Sequence, residues 1–157
     1  MAGLRLFVVV LGVLGMALVF RVRMPDGVAA KTDGVNIWVD DRLNEVQEKC
    51  AIAHEEIHIE RGHSTTQVEA VEMAVRYETA KRLLPLGDIV GVCKKGKSLA
   101  GIARELKVTR QVLMDRAATL TDEQARVAGC MECQLCPVIQ ARYSQHPVGR
   151  RYRQLVA

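Results

Sequence analysis

The chain is poor in features that would assign a protein at once. Among its 157 residues there are five cysteines and four histidines. The cysteines (Cys50, Cys93, Cys130, Cys133 and Cys136) are odd in number and suggest no disulfide framework, which favours a reducing compartment. Long hydrophobic runs are lacking too. Residues 6–20 are apolar throughout, but fifteen residues fall short of the roughly 20 a membrane helix needs. No small-x-small cleavage site with a mature start follows, so a secretory signal is not indicated. Acidic residues are missing after Glu132, and Arg142, Arg150, Arg151 and Arg153 in that tail match the whole net charge of +4. Such a tail could touch nucleic acid or acidic lipid, but more often it is simply solvated. What remains is ordinary for a globular domain with a core: 49% hydrophobic and 25% charged residues.

Against these absences, residues 54–58 read His-Glu-Glu-Ile-His, an H-E-x-x-H motif. The spacing has chemical meaning on a helix, where residues i and i+4 share a face and two imidazoles can meet one ion. Glu55, about 100° further round, can reach a metal-bound water without itself ligating. Residues 41–61 contain no proline or glycine and are rich in good helix formers. Leu43, Val46, Cys50, Ala53 and Ile57 recur at spacings of three or four, predicting an apolar stripe with His54 and His58 at its edge. Asp40 or Asp41 can cap the start, and Gly62 supplies a stop. The same motif also arises by chance on amphipathic helices, so the third ligand matters.

A zinc site takes three protein ligands and a water. His63 lies just past the helix-ending glycine and is expected to point away. Residues 66–84 again read as a helix, with Val68, Val71, Val75, Thr79, Arg82 and Leu83 toward its buried side. Glu72 leans to that side, and a buried carboxylate needs a partner. It is the preferred third ligand, with Glu69 in reserve. Glu78 reads as a surface ion-pair residue with Lys81 and Arg82. Imidazole and carboxylate also suit manganese or iron.

Several stretches together resemble the ImmA/IrrE family of HExxH metallopeptidases, found in phages and mobile elements. They are Cys-Ala-Ile-Ala-His-Glu-Glu-Ile-His-Ile-Glu-Arg-Gly-His at 50–63, Val71-Glu72, and Thr-Ala-Lys-Arg-Leu-Leu-Pro at 79–85. The family places a glutamate ligand thirteen residues before a proline, as Glu72 stands to Pro85. The likeness extends over residues 17–125, taking in the 24–27 turn, a strand over 35–40 and helices over 98–120. Only thirteen residues separate His58 from Glu72, a short connection. The resemblance implies zinc-dependent cleavage of a DNA-binding repressor or regulator, with His54, His58 and Glu72 on the metal and Glu55 as base.

The expected fold is α+β: a mostly helical, zincin-like core with a small N-terminal β-sheet packed on the HExxH helix. Residues 1–16 are expected as an apolar helix, buried or membrane-bound. A catalytic domain follows over 17–90, a helix-turn-helix-like extension over 91–128, and a basic, Cys-containing tail over 129–157. Alternation at 20–24 predicts a strand over 17–23. If residues 4–20 span a membrane instead, Arg21, Arg23 and Lys31 outnumber Arg5 and keep the catalytic domain cytoplasmic; the preferred reading is a soluble cytoplasmic protein. Thr109 can cap a second helix of the 98–116 unit, whose Arg110, Gln111 and Arg116 are candidate DNA contacts. Cys130, Cys133 and Cys136, with His146, could form a second metal site, or simply be small thiols on a helix. The leading expectation is a metallo-endopeptidase acting on a protein substrate, possible strand addition being offered by 35–40. Its rivals are a non-catalytic DNA-binding regulator and a membrane-anchored protein.

Overall fold

The structure, a computed structural model, describes residues 5–11, 15–64, 67–93 and 97–128. Cys130, Cys133, Cys136, His146 and the basic tail lie outside the described residues. The fold is α+β, with four strands followed by six helices among the described residues. The chain divides into two compact units, Met1–Thr79 and Ala80–Ala157.

The first unit begins with strands β1 (Arg5–Leu11) and β2 (Gly15–Val22), paired antiparallel from Arg5↔Arg21 to Leu11↔Gly15. The strand expected over 17–23 is thus present. The helix expected over 1–16 is not: residues 5–11 are extended. Val8, Val9 and Val10 are β-branched, which disfavours a helix and suits a pleated surface. An apolar run this short does not by itself distinguish strand from helix. Among the described residues, no helix is long and apolar enough to cross a membrane.

Strands β3 (Ala30–Thr32) and β4 (Ile37–Asp40) complete a four-stranded sheet of order β1-β2-β4-β3, in which β2 and β4 run parallel. The segment expected to offer an edge, 35–40, is therefore an interior strand, and β3 takes the edge. Alternation with period two puts Ala17, Val19, Ile37 and Val39 on one face, all fully buried. Helix α1 (Glu45–Glu60) covers that face with Ala51, Ile52 and Ile59, joined by Leu43 and Ala30. On the opposite face Phe20 stacks on Trp38 at 5.9 Å, and the Lys31 ammonium lies 5.7 Å from the Trp38 ring centre.

Helix α1 buries two sides rather than one stripe. At 100° per residue, Ile52 and Ile59 lie roughly 100–180° round the helix from Cys50, Ala53 and Ile57, which are buried. Its N-cap is Asn44, in a reciprocal capping box with Gln47 (3.0 and 3.1 Å), not Asp40 or Asp41. Asp40 is engaged elsewhere: its carboxylate takes the Arg42 guanidinium (3.0 and 2.6 Å), which also reaches Asp26 at 2.6 Å and the Met24 carbonyl at 3.0 Å. This clamp ties the turn before β3 to the start of α1.

Helix α2 (Glu69–Leu83) crosses from the first unit into the second. Val75, Thr79, Ala80 and Leu84 are buried along it, whereas Val68 and Arg82, expected on the buried side, are exposed. Glu78 pairs with Arg61, at the end of α1. The second unit continues with α3 (Leu86–Cys93), α4 (Leu99–Glu105), α5 (Arg110–Ala118) and α6 (Asp122–Val127). Thr109 caps α5 as expected, through Val112 N–H at 3.2 Å. The α4–turn–α5 pair is formed, but Arg116 is buried and donates to the Leu84 carbonyl (2.7 Å) and Thr119 Oγ1 (3.0 Å). It is a packing residue and not a DNA contact. A guanidinium can satisfy several acceptors at once, and this one closes the helical unit on itself.

Candidate metal centre

Helix α1 presents His54 and His58 one turn apart, and the two imidazole Nε2 atoms face each other at 3.1 Å. The first turn of α2 brings Glu72 to them. Its Oε2 lies 3.4 Å from His54 Nε2 and 3.4 Å from His58 Nε2. Three lone-pair-bearing atoms at such spacings repel unless a proton or a cation sits among them. The cluster of His54, His58 and Glu72 could hold a metal ion. Glu69 is exposed and lies outside it, so the reserve ligand is not used. The short connection after His58 suffices to return the chain.

Burial shapes the chemistry of these groups. It pushes His54 below the ordinary imidazole value, with His58 adding to the effect, and it lowers His58 as well. Both shifts favour the neutral imidazole, the form that ligates. Glu55 is buried on the sheet side of α1, and desolvation, helped by the Glu72 charge, pushes its carboxyl up to about 7. A carboxylate poised there can take and return protons near neutrality.

The cluster opens into a cavity of about 830 Å³, a size suited to a ligand or peptide segment. Residues 27–32, including β3, line one side; His54, Glu55, His58 and Glu72 line another. Two backbone bonds orient the edge strand. Asp40 N–H donates to the Ala29 carbonyl (2.9 Å) and Asp33 N–H to the Asn36 carbonyl (3.4 Å). In an antiparallel ladder these bonds alternate, so the amide and carbonyl of Ala30 and of Thr32 point away from β4, off the sheet edge.

His63, expected to point away, does the opposite. Its Nδ1 lies 3.0 Å from His58 Nδ1, on the side of that ring remote from Glu72. The cause is the helix ending. Gly62 adopts φ +71°, its N–H donates to the Ile59 carbonyl (2.9 Å), and His63 N–H donates to the His58 carbonyl (2.8 Å). This is the Schellman arrangement, which brings the second residue past the cap back over the last turn. The signal was present: a stop at Gly62 followed by His63, five residues after His58, is the pattern of a Schellman ending, whose 6→1 bond folds the residue after the glycine back over the last turn.

Searches against family models, curated proteins and solved structures find no match.

Proposed function

We propose that this protein is a zinc-dependent metallo-endopeptidase with a zincin-like catalytic core. One observation carries the reading: His54, His58 and Glu72 converge with donor spacings of 3.1, 3.4 and 3.4 Å. Donors about 2.0–2.1 Å from a zinc ion in a tetrahedron are separated by about 3.3–3.4 Å, so this donor set fits zinc with little rearrangement. When bound, zinc supplies a Lewis acid that polarises a peptide carbonyl and makes water a nucleophile near neutral pH.

The chain's own residues provide the rest. His54 and His58 offer their Nε2 lone pairs, and Glu72 offers Oε2. Glu55 stands beside this set without belonging to it, lining the same cavity. Its carboxylate accepts a proton from the attacking water and gives one to the departing amine, a sequence aided by its raised pKa. An extended substrate segment pairs with the outward-pointing amide and carbonyl groups of Ala30 and Thr32, adding a strand to the sheet beside the proposed metal ligands. Strand addition thus belongs to β3 instead of the 35–40 segment.

The family resemblance supports a DNA-binding repressor or regulator as the substrate, and the proposed compartment is the cytoplasm, where such a substrate would be met. The non-catalytic DNA-binding alternative is weakened by the burial of Arg116, which leaves Arg110 and Gln111 of its candidate contacts.

The test uses zinc-loaded full-length protein with a candidate repressor, followed by mass spectrometry of the products. Wild type is expected to cleave it, and Glu55→Gln is expected to retain zinc while losing at least about 100-fold in rate, the scale of general acid–base catalysis. Equal cleavage by the variant would overturn the mechanism.

A further inference from the structure

His63 has no role in the chemistry just described, yet two separate features hold it against a proposed ligand. The left-handed Gly62 folds the chain back so that His63 N–H closes on the His58 carbonyl. Beyond it, Ser64 packs against the β3–β4 turn: a Cβ at Gly34 (φ +93°) would lie 3.2 Å from Ser64 Cβ, closer than a side chain there normally tolerates. Backbone at both ends of His63 is thus constrained, and the ring is set 5.2 Å from that of His58, centre to centre.

Histidine can ligate through only one nitrogen at a time in a site such as this, and the other nitrogen then bears the proton. His58 faces His54 and Glu72 with Nε2, so its Nδ1 carries the hydrogen when Nε2 ligates. That hydrogen needs an acceptor, and His63 Nδ1 is 3.0 Å away. Metal-bound imidazoles usually donate to a carboxylate, a carbonyl or a water. Here the acceptor is a second imidazole, whose own proton must then reside on Nε2.

We propose that His63 is a positioning residue for His58: its Nδ1 accepts the His58 Nδ1 proton and so commits His58 to presenting the Nε2 lone pair to zinc. The proposal rests on the metallopeptidase reading, and deepens it by giving the site an outer imidazole. No proton is transferred; the hydrogen bond fixes tautomer and ring orientation.

Zinc affinity of full-length wild type, His63→Ala, His63→Asn and His54→Ala is measured by competition with a chromogenic chelator. Apo-state thermal unfolding is recorded for each, and nitrogen-15 spectra report the His58 tautomer in the zinc-loaded proteins. His63→Ala is expected to weaken zinc binding about 10- to 100-fold, the usual effect of losing an outer partner, and to free the His58 Nδ1 proton to exchange. His63→Asn places a carbonyl oxygen close to the former Nδ1 and is expected to restore affinity to within about threefold of wild type. Unchanged affinity in His63→Ala overturns the proposal while leaving the metal site intact. Equal losses in both His63 variants, with a shifted apo melting temperature, overturn it in favour of plain packing. Absence of zinc binding by wild type, or binding indifferent to His54→Ala, overturns the metal reading itself and this proposal with it.

Discussion

At the scale of single residues, charge and burial divide the labour. Glu55 and Asp40 are both buried carboxylates, yet they are pushed in opposite directions. No cation among the described residues offsets the burial of Glu55, and desolvation, with the Glu72 charge, raises it to about 7. Asp40 holds the Arg42 guanidinium through several hydrogen bonds, which draw it from its ordinary 3.8 to about 2. A depressed folded-state value means that the clamp contributes stability in full above pH 3.8, and that this contribution fades as pH falls through about 2. Wild type is therefore expected to lose melting temperature between about pH 4 and pH 2 more steeply than Asp40→Asn, which cannot titrate there. Parallel pH dependence of the two in a thermal-melt series would show that the clamp contributes nothing to acid stability.

Helix α1 decides most of what happens at the scale of elements. It carries two of the proposed ligands and the proposed base, covers the sheet, and ends in the turn that returns His63. Both ends are chemically specified, at Asn44 and at Gly62. Asn44→Ala removes the acceptor for Gln47 N–H and is expected to cost about 1 kcal/mol in chemical denaturation. Gly62→Ala introduces a Cβ that meets nothing within 4 Å, so its cost is confined to the left-handed backbone, about 1–2 kcal/mol. A loss beyond that range at position 62 would reveal a contact that the backbone argument does not contain. The cap at Asn44 was hard to read because Asp40 and Asp41 precede it with equal capping chemistry. Asp40 is committed instead to Arg42 two residues on, whose guanidinium also holds the 24–27 turn.

Considered as a whole molecule, the chain places its candidate metal centre within the Met1–Thr79 unit, since residues 54, 58, 63 and 72 all belong to it. A metal that binds only the folded state stabilises by mass action. Zinc at 100 times its dissociation constant is expected to add about 2.7 kcal/mol to the stability of that unit. Hydrogen-exchange protection should rise chiefly in α1, in the first turns of α2 and along β3, with little change over α4–α6. Uniform protection across both units, or none, would argue against a localised metal site.

The sequence by itself determined what depends on neighbours along the chain. The four-residue spacing of His54 and His58 implied a helix with both rings on one face. The glycine at 62 implied its end, the alternation near 17–23 a strand, and Thr109 a cap. These are local because helix and strand periods are properties of a few consecutive residues. The apolar face of the second predicted helix selected Glu72, and the structure brings it to 3.4 Å from both imidazoles. Only tertiary structure decided the rest. It made β3 the edge strand and 35–40 an interior one, paired residues 5–11 with β2 as a strand, and buried Arg116. Each of these depends on which distant segments pair and on where a chain reverses. Such choices are settled by the simultaneous burial of many side chains, a condition that no short stretch of sequence contains.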